Sequence, residues 1–206
     1  MRRNWLLAVV AAGALVLSTS ARAADGNIAV YLDDAGTQCE GFITTPITMG
    51  SVWMNLAGAT AGGVTVAEFR IINSNPSAYS VSFIPDPAAN VTIGDPLFAG
   101  VDIAFPSCQG AGTGRVKLGQ LVIIENVATP DVNLTVRQHF APSNELYPCP
   151  VAVLCDDPFY TMVCLGPLNS DHWRAWLNPS DGVSGICEPV GVEQTTWSQV
   201  KSLFSH

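Results

Sequence analysis

Apolar and polar positions alternate with a period of two along much of the chain, as expected for strands with one buried and one wet face. The clearest case is 132–140, where Val132, Leu134, Val136 and Phe140 alternate with Asn133, Thr135, Arg137 and His139. In Val64–Ile72, Ala67, Phe69 and Ile71 fall on one face, with Glu68 and Arg70 on the wet one. Within Arg115–Val127 the run 121–124 is continuously apolar, which predicts a central strand covered on both faces. Shorter runs predict strands at Asn27–Leu32, Ile47–Leu56, Tyr79–Ile84, Asn90–Ile93, Gly100–Phe105, Val151–Leu154, Tyr160–Leu165 and Trp173–Leu177. Clusters of Gly, Pro and Asp punctuate them, and the small, glycine-rich Ala57–Gly63 reads as a loop. So many short strands predict an all-β fold, an antiparallel β-sandwich.

One stretch has helical spacing. Thr196 and Gln199 match a capping box, and Trp197, Val200 and Phe204 then share one helical face. A helix this short needs a docking partner. Either it lies on its own domain, or Trp197, Lys201 and Phe204 form a recognition tail.

The beginning of the chain reads as a secretory leader. Arg2 and Arg3 precede the apolar core Leu6–Leu17, and Ala21-Arg22-Ala23 presents small residues for cleavage. That core is shorter than the about 20 residues of a spanning helix, and no later stretch is apolar for long enough. The expected organisation is a leader over 1–23, a β-sandwich over 24–194 and an amphipathic helix over 195–206. No transmembrane segment is expected after cleavage.

Charge narrows the partners. Of nine basic residues, Arg2, Arg3 and Arg22 lie in the leader, leaving six against 17 acidic ones. Such a surface repels nucleic acid and anionic membranes.

Six cysteines in an exported chain, Cys39, Cys108, Cys149, Cys155, Cys164 and Cys187, predict three disulfides. The spacing allows several pairings. Two apolar runs around Asp156-Asp157-Pro158 predict a hairpin, with Cys155–Cys164 as the first expected bridge across it. Cys187 would tie the tail to Cys149 or Cys39. The cysteine spacings do not match a zinc site.

Two strands carry a family resemblance: Val64–Ile72, as Val-x-Val-Ala-Glu-Phe-Arg-Ile, and 114–124, as Gly-Arg-Val-x-Leu-Gly-Gln-Leu-Val-Ile. Over roughly Ile47–Phe140 the chain resembles the cohesin-like, immunoglobulin-type sandwiches of secreted bacterial proteins. The resemblance implies a binding module; it transfers no binding residue, because it lies in core strands. The ends, Tyr31–Cys39 and Thr196–Lys201, resemble a group of exported bacterial proteins and imply no function.

Candidate chemistry is sparse. Asp33, Asp34, Asp156, Asp157 and Asp181 offer oxygens for calcium, which wants six to eight, yet each also suits a turn, where Asp bonds its own backbone. No other cofactor is implied. Trp53, Tyr160, Trp173 and Trp176 offer aromatic faces to a sugar. His139, His172 and His206 show no ligand spacing and no Gly-x-Ser-x-Gly elbow occurs, so no catalytic residue is assigned. Asn90 and Asn133 head glycosylation sequons, which carry little weight in a bacterial chain. The expected function is binding or assembly, without catalysis, at the cell surface, in the periplasm or outside the cell. The partner would be a protein or a polysaccharide; the alternative is a carbohydrate-binding or carbohydrate-active protein.

Overall fold

The computed structural model describes residues 25–155, 160–166 and 174–182. The expected leader, the Asp156-Asp157-Pro158 turn, Trp173, Cys187 and the C-terminal helix lie outside them.

Among the described residues, twelve strands form two sheets. In the first, β1 (Gly26–Tyr31), β3 (Ile47–Leu56), β8 (Arg115–Glu125) and β5 (Tyr79–Pro85) lie in the order β1-β3-β8-β5, all antiparallel. The second runs β11 (Met162–Cys164), β10 (Val151–Leu154), β4 (Val64–Asn73), β9 (Val132–Arg137), β12 (Arg174–Leu177), β2 (Glu40–Gly41). The hairpin of β6 (Val91–Asp95) and β7 (Gly100–Gln109) joins this sheet through a β4–β7 pairing. The all-β sandwich is therefore as expected, with one exception to antiparallel order: β12 pairs β2 in parallel. The segment read as a loop at 57–63 holds a 3-10 turn, Gly58–Gly62. Buried Thr60 anchors it, accepting from Ala57 N (3.0 Å) and donating to Asp25 O (2.6 Å).

The core is the space between the sheets. Ile28, Met54, Tyr79, Leu121 and Ile123 from the first sheet meet Phe69, Ile71, Ile103, Leu134 and Leu177 from the second, all essentially inaccessible. Phe69 and Phe83 make an edge-to-face contact across this space, with centroids 6.2 Å apart.

β8 departs from the sequence expectation. It is central, but only one of its faces is covered: Leu121 and Ile123 are buried, Val122 is half-buried and Ile124 is exposed. The run misleads because its outward positions, Val122 and Ile124, are apolar too, and the strand also changes phase within its length. Val52 pairs Gly119 while Trp53 pairs Lys117, so Leu118 is an extra residue that resets the alternation. Both halves of the strand thus bury alternate residues, in opposite phase. Gly119 is required beside this bulge, because a Cβ there would lie 2.5 Å from the Phe83 ring and from Ile84 O.

Two further expectations change. Glu68, placed on a wet face by periodicity, is only 3% exposed. Phe140, placed on the apolar face of 132–140, lies beyond the end of β9 and is exposed.

The first expected disulfide, Cys155–Cys164, does not form. The bridges are Cys108–Cys155 and Cys149–Cys164, each with Cα atoms 5.6 Å apart. Strand register is the reason. Val151 pairs Cys164, so Cys149 lies just beyond the pair, whereas Cys155 lies past the other end of β10. There Cys155 N donates to Gly63 O (3.0 Å), and Cys155 meets Cys108 across the start of β4. Gly63, at φ +101°, leaves the necessary space: a Cβ would stand 2.4 Å from Cys108 Sγ. Cys39 is also disulfide-bonded. In the chain-entropy view, bridges closing 47 and 15 residues each stabilise by about 3–4 kcal/mol.

Non-reducing peptide mapping is expected to recover Cys108–Cys155 and Cys149–Cys164 and no Cys155–Cys164 peptide. Phe69→Ala is expected to cost about 3–5 kcal/mol in urea unfolding, since its site is fully enclosed.

Candidate functional site

The two outer faces of the sandwich differ in chemistry. On the first sheet, register sets Ile47, Ile124 and Ser80 in one row, Met49, Val122 and Ser82 in the next, and Ser51, Gln120 and Ile84 in a third. These are the outward positions, because Leu121, Ile123, Val52 and Val81 point inward. Ile47 is 57% exposed, Ile84 49%, Met49 44% and Ile124 39%. The result is a flat aliphatic patch edged by the Ser80 and Ser82 hydroxyls, while Ser51 is buried and donates to Asp33 O.

One end of this face is closed by a cation. The Arg115 guanidinium lies 4.4 Å from the Trp53 ring centroid and 5.6 Å from that of Tyr31. It donates from Nε to Asn55 Oδ1 (3.0 Å) and from Nη2 to Gly36 O (2.7 Å). The Asp33–Gln38 loop is thereby pinned against the sheet. Gly36 is at φ +68°, and a Cβ there would collide with Arg115 and Trp53. Asp33 serves the same loop, accepting from Thr37 N (2.8 Å), Thr37 Oγ1 (2.7 Å) and Gln38 N (2.9 Å). Burial opposes its ionisation, but those bonds win and hold its carboxyl below the ordinary range. Asp34 pairs with Lys117 and accepts from Gln120 Nε2 (2.9 Å); these bonds lower its pKa too. Both aspartates thus act as turn and rim residues. Among the described residues no three His, Cys, Asp or Glu side chains are grouped to hold a metal.

The second sheet carries charge on its outer face. Glu68 and Asp102 stand directly opposite each other on β4 and β7. Glu68 accepts hydrogen bonds from Ser143 N (3.1 Å) and Ser143 Oγ, so the segment after β9 closes over it. His139 packs on Gly100 and accepts from Ala141 N at Nδ1 (3.0 Å). Burial and the facing Glu68 carboxylate push Asp102 above the usual carboxylate range, and His139 pulls the other way. Next along β4 and β9, Arg70 stands opposite Arg137, and Arg174 stands opposite Thr135.

The candidate aromatics do not form one platform. Trp53 is on the first sheet under Arg115. Trp176 is on the outer face of the second, with Arg174 5.2 Å from its centroid. Tyr160 is exposed beside the β10–β11 hairpin. Trp173 lies outside the described residues, as do Asp156, Asp157, Trp197, Lys201 and Phe204. Asp181 is exposed after β12. Periodicity alone missed the Glu68–Asp102 pair, because the two come together only through the β4–β7 register.

No protein-family model matches the chain, and no curated protein does. Among solved structures the chain is similar to a cohesin module from a Clostridium perfringens family 33 glycoside hydrolase. The identity is 11%, covering 76% of this chain and 98% of that one, with a TM-score of 0.48. It is also similar to the sixth cohesin of Acetivibrio cellulolyticus scaffoldin B, solved with a Cel5 dockerin. There the identity is 15%, over 68% and 92% of the chains, with a TM-score of 0.39. The described strands themselves form an all-β sandwich, the fold class expected from the sequence.

The carboxyl pair makes stability depend on pH with a defined sign. Folded Asp102 holds its proton more tightly than the unfolded chain, so above the ordinary value of 3.8 its contribution falls as pH rises. Asp102→Asn is therefore expected to raise the melting temperature at neutral pH. The gain should shrink on acidification through the folded pKa, as calorimetry across that range would record.

Proposed function

We propose that the protein is a non-catalytic, exported β-sandwich module that binds a protein partner at the cell surface or outside the cell. The observation that carries this reading is the patch of Ile47, Met49, Ile84 and Ile124 on the outer face of the first sheet. Contiguous exposed apolar side chains on a soluble domain mark interaction surfaces. Their chemistry selects the partner: aliphatic side chains in a flat array complement another protein's apolar face, whereas sugar rings stack on aromatic ones. The disulfides support export, since such bonds persist in oxidising compartments. The leader over 1–23 would direct it there.

Met49→Glu with Ile124→Glu places two charges on the patch and leaves the core untouched. The variant is expected to keep the wild-type melting temperature within a few degrees. It should also lose crosslinking between a photoreactive residue at position 47 and a protein from the producing culture. Equal crosslinking by both forms, or retained material released by a glycosidase, would overturn the reading.

A further inference from the structure

Cations are scarce in this acidic chain, yet three of them share one face. Arg70 on β4 and Arg137 on β9 are direct cross-strand partners. Arg174 on β12 is paired with Thr135, which lies on the same outward face two residues before Arg137. Like charges placed opposite each other on a sheet are destabilising, so something should compensate them. Neither Arg70 nor Arg137 forms an ion pair with a described residue. Arg70 Nε is buried and has no hydrogen-bond partner among the described residues. Burial and the charge of Arg137 both depress the basicity of Arg174, which places these two guanidinium groups within electrostatic reach.

Each end of this row is apolar and flat. Phe140 lies beside Arg70, with the guanidinium 5.9 Å from its centroid, and Trp176 lies beside Arg174. Polar groups complete the surface: Thr135 Oγ1 donates to Asn133 Oδ1 (2.8 Å), and Asn133 faces Trp176 across the strands. The Glu68–Asp102 pair bounds the row on β4 and repels an anion placed beyond Arg70.

We propose that Arg70, Arg137 and Arg174 form a binding site for the oxyanion of an acidic saccharide, a uronate carboxylate or a sulfate ester. Guanidinium forks match the oxygens of either group and bond them in pairs. The flanking aromatic rings suit the apolar face of a sugar, a feature that a bare inorganic anion would not use. The site is on the opposite side of the sandwich from the aliphatic patch and does not rest on the assembly reading. The overall negative charge opposes long-range attraction of a polyanion, so recognition is local and acts on a short oligosaccharide.

The test is calorimetric titration of the full mature chain with oligogalacturonate, with a sulfated oligosaccharide, with a neutral cello-oligosaccharide, with inorganic sulfate and with polyglutamate. One of the two acidic saccharides is expected to bind, and which one does assigns carboxylate or sulfate as the group. Arg137→Gln and Arg70→Gln should each weaken that binding by roughly tenfold or more, while Lys117→Gln, which removes the same charge elsewhere, should change it by less than about twofold. Both arginine variants should melt no lower than the wild type, because each relieves a like-charge contact; this separates lost binding from lost folding. Absence of binding by both acidic saccharides would overturn the proposal. So would equal binding by the folded arginine variants, or binding of polyglutamate or inorganic sulfate as tight as that of the saccharide.

Discussion

Pairing of β4 on both edges is the constraint on which the rest of the structure depends. One edge is taken by β7, and β10 and β9 pair with successive halves of the strand. A strand with both edges occupied cannot slip by one residue without turning Phe69 and Ile71 out of the core. With β4 in place, the inner face meets the first sheet and the outer face becomes a fixed grid. The Cys108–Cys155 bridge locks the strands on either side of the start of β4, and Gly63 makes the room it needs.

The same grid creates the charged outer face. Glu68 and Asp102 are brought opposite each other by the β4–β7 register, and Arg70 and Arg137 by the β4–β9 register. Two like-charged pairs, one acidic and one basic, thus sit side by side on a sheet whose other face packs Phe69, Ile71, Ile103 and Leu134 into the core. Their energetic fates differ. The acidic pair is covered by the segment carrying Ser143, which donates two hydrogen bonds to Glu68, and burial together with the Glu68 charge makes Asp102 take up a proton more readily than an ordinary carboxylate. Arginine has no such escape, because it cannot give up its proton.

The first sheet solves a different problem. Its bulge at Leu118 lets a strand with a nearly continuous apolar run bury alternate residues in both halves. The outward residues left over, Val122 and Ile124, join Ile47 and Met49 as an apolar surface. Arg115, stacked on Trp53 and Tyr31, closes one end of that surface by fastening the Asp33–Gln38 loop.

Alternation and short apolar runs by themselves located the sheet-forming segments except the two-residue β2, because each longer strand carries its pattern within itself. Ile47–Leu56 and Val151–Leu154 are read without error, and the inward sets Ala67, Phe69, Ile71 and Val132, Leu134, Val136 are as expected. The turn chemistry of Asp33 was legible for the same reason, since its partners are four and five residues away. Tertiary structure alone decided which segments are neighbours. The disulfide partners, the burial of Glu68 under Ser143, the phase reset at Leu118 and the three arginines on one face all depend on register between strands distant in sequence. Pairing energy at such separations depends on the whole assembled sheet and leaves no local pattern in the chain.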